Sequence, residues 1–259
     1  AMPTSTWSKI YESRITTADQ AVKAIKSGDR VFLTGNCSVP QVLLKALVAR
    51  APELRNVEIC HALTIGSSDY VARVMEGRIR VNSLFIGPNV RKAVQEGRAD
   101  FTPVLLSEFT LLFKKGFLPL DVAFVHVSPP DEHGFCSYGI ETGLTKTPAE
   151  VAKTIIAEVN PHMPRCHGDS FIHVSRLKHV VPVDYPLLEL AMTEGGPSEL
   201  HTRIAQFIAE LIPDGATMQM GIGAIPDAVL QILYNKRDLG IQGFGPGEVR
   251  HQAAIRRAR

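Results

Sequence analysis

Residues 31–40 read VFLTGNCSVP, an apolar run followed by a glycine turn and a proline. The run from Val31 to Leu33 is typical of a buried strand, and Pro40 stands where a helix would begin. Leucines then recur at helical spacing, at Leu43, Leu44 and Leu47. The stretch therefore predicts a strand, a tight turn at Gly35 and an amphipathic helix.

The same pattern continues along the chain. Further apolar runs, several of them separated by helical patterns, cover residues 57–59, 81–86, 122–127, 155–159 and 180–183. They are short and nearly all apolar, as in strands that are covered on both faces of a parallel sheet. We expect an α/β fold with an open, mostly parallel sheet and helices on both faces.

Two helix starts carry recognisable caps. Residues 17–28 predict a helix that Thr17 caps and Gly28 ends. Thr147 and Glu150 have the spacing of a capping box, with Pro148 at the expected first position of a helix.

The composition is that of a soluble globular protein. Hydrophobic residues make up 45% and charged residues 21% of the 259 residues, and the net charge is +2. So small a charge does not favour nucleic-acid binding, and no apolar run reaches the roughly 18 residues that cross a bilayer. Four separated cysteines without a CxxC pair indicate neither disulfides nor a zinc site. We expect a cytoplasmic location and neither nucleic acid nor membrane as a partner.

An internal repeat predicts the domain organisation. Residues 35–40, GNCSVP, align with residues 221–226, GIGAIP, and the leucines that follow match at the same offset. We predict a complete N-terminal domain over residues 7–196 and the incomplete start of a second domain over residues 197–241. An atypical tail follows over residues 242–259, and its arginine-rich end is interpreted as solvated.

Two segments resemble signatures of the acetyl-CoA hydrolase/transferase family of class I coenzyme A transferases, of the 4-hydroxybutyrate CoA-transferase type. Residues 218–230, MQMGIGAIPDAVL, are similar to the glycine signature, and residues 127–137, VSPPDEHGFCS, to the first-domain signature. The resemblance runs from about Trp7 to Ile241. It implies transfer of coenzyme A between short-chain acyl groups such as acetate, butyrate or 4-hydroxybutyrate. Acyl-CoA and a carboxylate are the implied substrates, without a metal, and we expect a homo-oligomer.

The resemblance also implies a ping-pong exchange through a glutamyl-CoA thioester, which divides one hard exchange into easier steps. Carried over by position, the coenzyme A and oxyanion segment comprises Gln219, Met220, Gly221, Ile222 and Gly223. Gly35 and Asn36 of the first copy are expected to face it across the domain interface. A glycine turn before a helix can present N–H groups to an anion, although such turns also serve simply to reverse the chain.

The family's glutamate normally follows a strand in a His-Thr-Glu type sequence, but here the residues are Gln242, Gly243 and Phe244. No catalytic residue is therefore assigned, and this chain is expected to be inactive alone. Glu248 is the nearest acid, but its surroundings do not match the motif. The change of character at Gln242 indicates a frameshift, a natural truncation or a deliberately shortened chain.

Other polar residues have structural interpretations beside functional ones. Asp131, with Glu132 and His133, is expected to form a turn rather than a metal site. His126 is interpreted as a hydrogen-bonded core histidine, and the pair Cys166-His167 is not interpreted as a nucleophile. Four residues are ambiguous between lining a substrate cleft and a capping or solvated role: Glu108, Glu141, Asn160 and His173.

Two other interpretations stay open. Glycine turns after strands invite a nicotinamide-binding Rossmann fold, but neither turn reads G-x-G-x-x-G, since Pro226 stands where the third glycine would be. Alternatively, the chain is the binding or assembly half of a two-chain transferase. Without such a partner, the unfinished second domain is expected to expose Val229, Leu230 and Leu233 and to self-associate.

Overall fold

The computed structural model describes residues 6–189, 197–221 and 223–243. The chain divides into two compact units, the first ending at Glu189 and the second beginning at Leu190. The helices of the first unit are α1 (Thr6–Arg14), α2 (Ala18–Ala21), α3 (Gln41–Arg50), α4 (Pro88–Gln95), α5 (Phe109–Lys114) and α6 (Lys146–Val151). Its strands are β1 (Arg30–Leu33), β2 (Val57–His61), β3 (Ile79–Ser83), β4 (Asp100–Phe101), β5 (Val122–Val127), β6 (Phe135–Ser137), β7 (Thr154–Val159), β8 (Phe171–His173) and β9 (His179–Pro182).

The first unit is built on one seven-stranded parallel sheet in the order β4-β3-β2-β1-β5-β7-β9. Strands that follow β1 extend the sheet in one direction, and strands from β5 onward extend it in the other. A separate antiparallel pair joins β6 and β8. Open parallel sheets bind ligands at the carboxyl ends of the strands, where the strand order switches. Here that point lies between β1 and β5, so the turn after β1 is at the expected place.

Alternate strand residues face two separate cores. Val31 and Leu33 pack with α2, α3 and α4 on one face of the sheet, whereas Phe32 packs with α5 and α6 on the other. Both faces are therefore buried, which explains why the strands read as apolar runs without alternation. The predicted α/β class, with helices on both faces of a parallel sheet, is confirmed.

The helix predicted over residues 17–28 is shorter than expected. Thr17 caps it as predicted, but α2 ends at Ala21 and gives way to a single 3-10 turn. The guanidinium group of Arg50 donates to the carbonyl oxygen of Ile25 at 2.8 Å. Arg50 also donates to the carbonyl oxygen of Val22, the C-cap residue of α2, so a partner distant in sequence takes a carbonyl group that a longer helix would use.

The predicted capping box at Thr147 is wrong. The helix α6 begins at Lys146 with Thr145 as its N-cap, and Thr147 is buried within the first turn. The backbone N–H of Ala149 donates to the carbonyl oxygen of Thr145 at 3.0 Å. The helix therefore begins before Thr147, the residue that was predicted to cap it.

The second unit repeats the local topology of the first. Its elements are α7 (Glu199–Glu210), β10 (Thr217–Met220), α8 (Ala224–Ile232) and β11 (Gly240–Gly243). The strands β10 and β11 pair in parallel, with Met220 opposite Gly243. The order of strand, glycine turn, helix and parallel strand matches that of β1, α3 and β2. The strand predicted from Leu239 continues through Gln242 to Gly243, and residues 244–259, with Glu248, lie outside the described part of the chain.

The second unit has a small core of its own. Val229 and Leu233 are 3% and 1% exposed, and they pack with Met220 and with side chains of α7. The expectation that the face of α8 carrying Val229 and Leu233 is exposed is therefore wrong. Large exposed apolar side chains lie instead on and just after α7, at Leu200, Phe207 and Leu211. Among the described helices of both units, none is long and apolar enough to span a membrane.

Candidate functional site

The turn after β1 is held by close backbone packing. A Cβ atom on Gly35 would lie 2.2 Å from the carbonyl oxygen of Leu63. The backbone N–H of Asn36 donates to that same oxygen at 2.6 Å. Asn36 has a φ of 51°, in the left-handed region that asparagine tolerates better than most residues. The shape of the turn therefore requires glycine at position 35 and favours asparagine at position 36.

Asn36 is linked to a buried carboxylate. Asn36 is half-buried, whereas the other residues of 34–40 are buried. Its Nδ2 donates to Oε2 of Glu141. The other oxygen of Glu141 accepts the backbone N–H of Leu144 at 3.1 Å. Glu141 is 7% exposed, and burial raises the pKa of its carboxyl group, although the hydrogen bond from Asn36 opposes the shift. Of the four ambiguous residues, Glu141 is the one that reaches this turn.

The first turn of α3 is closed by side chains of the same unit. Oε1 of Glu158 accepts the backbone N–H of Leu43 at 2.6 Å. The Tyr185 hydroxyl accepts the N–H of Gln41 at 3.2 Å and donates to Glu158. Burial raises the pKa of Glu158 to about 7, against the opposing effect of these hydrogen bonds. The N–H groups that this helix could have offered to an anion are therefore used internally.

Sequence reasoning missed both Glu158 and Tyr185. Glu158 is the one charged residue of the apolar run over residues 155–159, and a charge inside a strand expected to be buried was the available signal. Tyr185 gave no comparable signal. Behind this pair, Nδ2 of Asn160 contacts Nε2 of His126 at 3.1 Å and donates to the carbonyl oxygen of Tyr185 at 2.9 Å. His126 is thus the hydrogen-bonded core histidine that was predicted, and Asn160 is structural.

The remaining first-unit candidates have local roles. Oδ1 of Asp131 accepts the backbone N–H groups of His133 at 2.9 Å and Phe135 at 2.8 Å, which confirms the predicted turn. Glu108 is exposed beside α5. His173 caps the 3-10 turn that follows β8. Among the described residues, no cluster of three or more His, Cys, Asp and Glu side chains could hold a metal ion.

The turn after β10 is open where the turn after β1 is packed. Counting the described residues alone, a Cβ atom on Gly221 would meet only Cγ of Pro226, at 3.8 Å, and one on Gly223 would meet no atom within 4 Å. Gly223 has a φ of 139°, which favours glycine, and its position before α8 carries no side-chain cap. The two copies of the repeat therefore share a topology but differ in the room they leave for a ligand.

The residues of the predicted coenzyme A segment, 219–223, differ in their exposure. Gln219 is exposed on β10, whereas the side chain of Met220 is buried in the core, so Met220 could meet a ligand only through its backbone. Ile222 lies outside the described residues. A groove of about 270 Å³ opens beside Gln219 and Gly221, and it is lined mostly by apolar residues of α7, β10 and α8 and by Ile212. The segment thus borders a cleft within the second unit.

Comparison with known proteins defines the relationship. The sequence profile of the acetyl-CoA hydrolase/transferase N-terminal domain matches residues 4–188. The chain belongs to this family. It is 45% identical to the 4-hydroxybutyrate coenzyme A transferase of Clostridium kluyveri, over 91% of this chain and 54% of that protein. It is 42% identical to the succinyl-CoA:acetate/propanoyl-CoA:succinate CoA transferase of Fasciola hepatica, over 86% of this chain and 46% of that protein.

A solved structure shows the same fold. The 4-hydroxybutyrate CoA-transferase of Porphyromonas gingivalis superposes with a TM-score of 0.81 and 35% identity, covering 96% of this chain and 59% of that chain. The chain thus spans about half the length of the curated relatives that it matches. Membership of this family leaves the nicotinamide-binding alternative without support.

Proposed function

We propose that this chain, when it is joined to the second half that its relatives carry, transfers coenzyme A between short-chain acyl-CoA and carboxylic acids of the acetate, butyrate or 4-hydroxybutyrate class. The observation that carries the proposal is membership of the acetyl-CoA hydrolase/transferase family together with relatives named as CoA transferases over nine tenths of this chain. The open turn at Gly221 supports it, because a backbone without a side chain lets a thioester approach N–H donors.

The proposed chemistry passes through an enzyme carboxylate. A glutamate oxygen attacks the thioester carbon, the C–S bond breaks, and coenzyme A leaves as thiolate from an enzyme acyl anhydride. The thiolate then attacks the glutamyl carbonyl, releases the first carboxylate and leaves a glutamyl-CoA thioester. The acceptor acid reverses these steps and takes the coenzyme A. Each attack builds an oxyanion, which needs N–H donors that are already in place.

The register of the second unit supports the position of that carboxylate. Gly243 pairs with Met220, so the end of β11 lies beside the strand end that leads into the Gly221 turn. The family motif would place its glutamate there. This chain has Gln242, Gly243 and Phe244 at the positions concerned, and none of them carries a carboxylate. We therefore infer that the chain forms no glutamyl-CoA by itself.

A chimera tests the proposal. Residues 1–241 are joined to the part of the Clostridium kluyveri transferase that follows its matched segment, and exchange is assayed between acetyl-CoA and butyrate or 4-hydroxybutyrate. Activity is expected, with at least tenfold loss of kcat/KM for Gly221→Val because the side chain fills the open approach. Gly143→Val is the matched control, since Gly143 is exposed and has nothing within 4 Å. A folded chimera without exchange would contradict the proposal.

A second candidate is that the chain acts as the assembly half of a two-chain transferase. It is favoured by the two-stranded sheet of the second unit and by Leu200, Phe207 and Leu211, which are 64%, 65% and 83% exposed. Coexpression with the remaining half of the Clostridium kluyveri protein as a separate chain should then yield a stable complex with exchange activity. If the halves fail to copurify while the chimera is active, this candidate is wrong.

A further inference from the structure

The carboxylate of Glu141 is not needed for the shape of the turn above it. Burying a carboxylate is costly unless its partners compensate. Asparagine adopts the left-handed conformation without such help, and the backbone N–H of Asn36 is already satisfied by Leu63. The shape of the turn therefore does not explain why Glu141 is buried and hydrogen-bonded to Asn36.

That hydrogen bond decides which way the Asn36 amide points. A carboxamide has a donor side and an acceptor side, and Oε2 of Glu141 is the acceptor in its hydrogen bond with Asn36. Because Nδ2 donates to Oε2 of Glu141, Oδ1 of Asn36 is turned away from Glu141. Glu141 is itself held by the backbone N–H of Leu144. Close by, the Thr145 hydroxyl donates to the Thr34 hydroxyl at 3.2 Å, which ties the Glu141 loop to the end of β1.

We propose that Glu141 is a positioning residue that presents Oδ1 of Asn36 as a hydrogen-bond acceptor at the carboxyl edge of the sheet. The ligand group that it fits is an N–H donor, and coenzyme A offers amide N–H groups along its pantetheine arm. This ligand rests on the proposed function. The orientation of the amide does not, and it can be measured without any ligand.

The substitution Glu141→Gln separates orientation from folding. The introduced glutamine keeps an oxygen for the N–H of Leu144 but directs an NH₂ group at Asn36, so the Asn36 amide turns over and offers Nδ2 outward. In this variant every donor between residues 36, 141 and 144 again has an acceptor, so the melting temperature should stay near that of the unchanged chain. Asn36→Asp combined with Glu141→Gln exchanges donor and acceptor and restores an outward oxygen. Glu150→Gln, at an exposed residue of α6, is the control for lost charge.

Two readouts test the proposal on this chain. In side-chain amide NMR, the Asn36 NH₂ signal should show a hydrogen-bonded shift that disappears in E141Q, and an unchanged signal would overturn the orientation. In calorimetric titration with coenzyme A, E141Q should bind about tenfold more weakly, while the double variant and E150Q bind like the unchanged chain. Equal binding by E141Q would overturn the positioning role. If the unchanged chain binds no coenzyme A, the ligand assignment fails with the proposed function, and the NMR result still decides the orientation.

Discussion

Oε1 of Glu158 lies 2.6 Å from the backbone nitrogen of Leu43 and closes the first turn of α3. The Tyr185 hydroxyl completes the closure by accepting the N–H of Gln41. A glycine turn and a following helix N-terminus would ordinarily suggest an anion site. Here the protein fills that site with its own carboxyl group, so the N–H groups of the first turn of α3 are not free to bind an anion.

Glu158→Ala should destabilise the first unit by about 2 kcal/mol or more, because it leaves the buried Leu43 N–H and the half-buried Tyr185 hydroxyl without their shared partner. Urea unfolding at constant pH measures the loss. Glu150→Ala, at an exposed position of α6 in the same unit, should change stability by less than about 0.5 kcal/mol. Equal effects of the two substitutions would show that the closure of α3 contributes nothing.

The stability contributed by Glu158 should depend on pH. Its folded pKa of about 7 lies above the ordinary value of 4.5, so the folded state holds the proton more tightly. The stabilisation is therefore present at low pH and is lost as the pH rises from about 4.5 through 7, by about 3 kcal/mol in all. Glu158→Gln cannot titrate. The unfolding free energy of the unchanged chain minus that of E158Q should fall across this window, and a constant difference would contradict the account.

Gly35→Ala should cost about 1–3 kcal/mol, because the new methyl group would meet the Leu63 carbonyl oxygen at 2.2 Å and neither backbone can yield easily. Gly143→Ala, which meets nothing within 4 Å, is the control and should be near neutral. Thermal and urea unfolding report both variants. A neutral G35A would show that the turn after β1 is looser than the structure indicates.

Leu233→Ala should destabilise the second unit by about 2–5 kcal/mol, since Leu233 is 1% exposed in the small core beneath α8. Leu211→Ala removes the same group at a site that is 83% exposed and should have little effect. Hydrogen exchange of the α8 amides distinguishes this unit from the first. Comparable exchange in the two variants would mean that the core of the second unit is not formed.

The sequence predicted the strands well because both faces of the sheet are buried, so that β5 coincides with its apolar run. It predicted helix boundaries less well, because they depend on distant partners. Arg50 takes the carbonyl oxygen of Val22, the residue that follows α2, and no local pattern shows that. The residues around the glycine turns show the same difference between local patterns and long-range contacts. Gly35 and Gly221 were found from the repeat, but the closure by Glu158 and Tyr185 required contacts between residues more than 100 apart in the chain.

The exposed face of the second unit illustrates a different limit. A helical pattern at Val229 and Leu233 predicts an apolar face but does not say which neighbouring helix covers it. In the structure α7 covers that face, and Leu200 and Phe207 of α7 itself are exposed instead. Periodicity therefore identified the apolar face correctly, and the expectation that an incomplete domain leaves this face exposed was wrong.

The most direct test is intact-protein mass spectrometry after incubation with acetyl-CoA and reduction with borohydride, which converts a glutamyl thioester to an alcohol. The chimera of residues 1–241 with the remaining half of the Clostridium kluyveri transferase should show the mass change of one reduced glutamate, and this chain should show none. A folded chimera without the mass change would contradict coenzyme A transfer through a glutamyl thioester. A mass change on this chain, mapped to any of its own glutamates, would contradict the inference that it lacks the nucleophile.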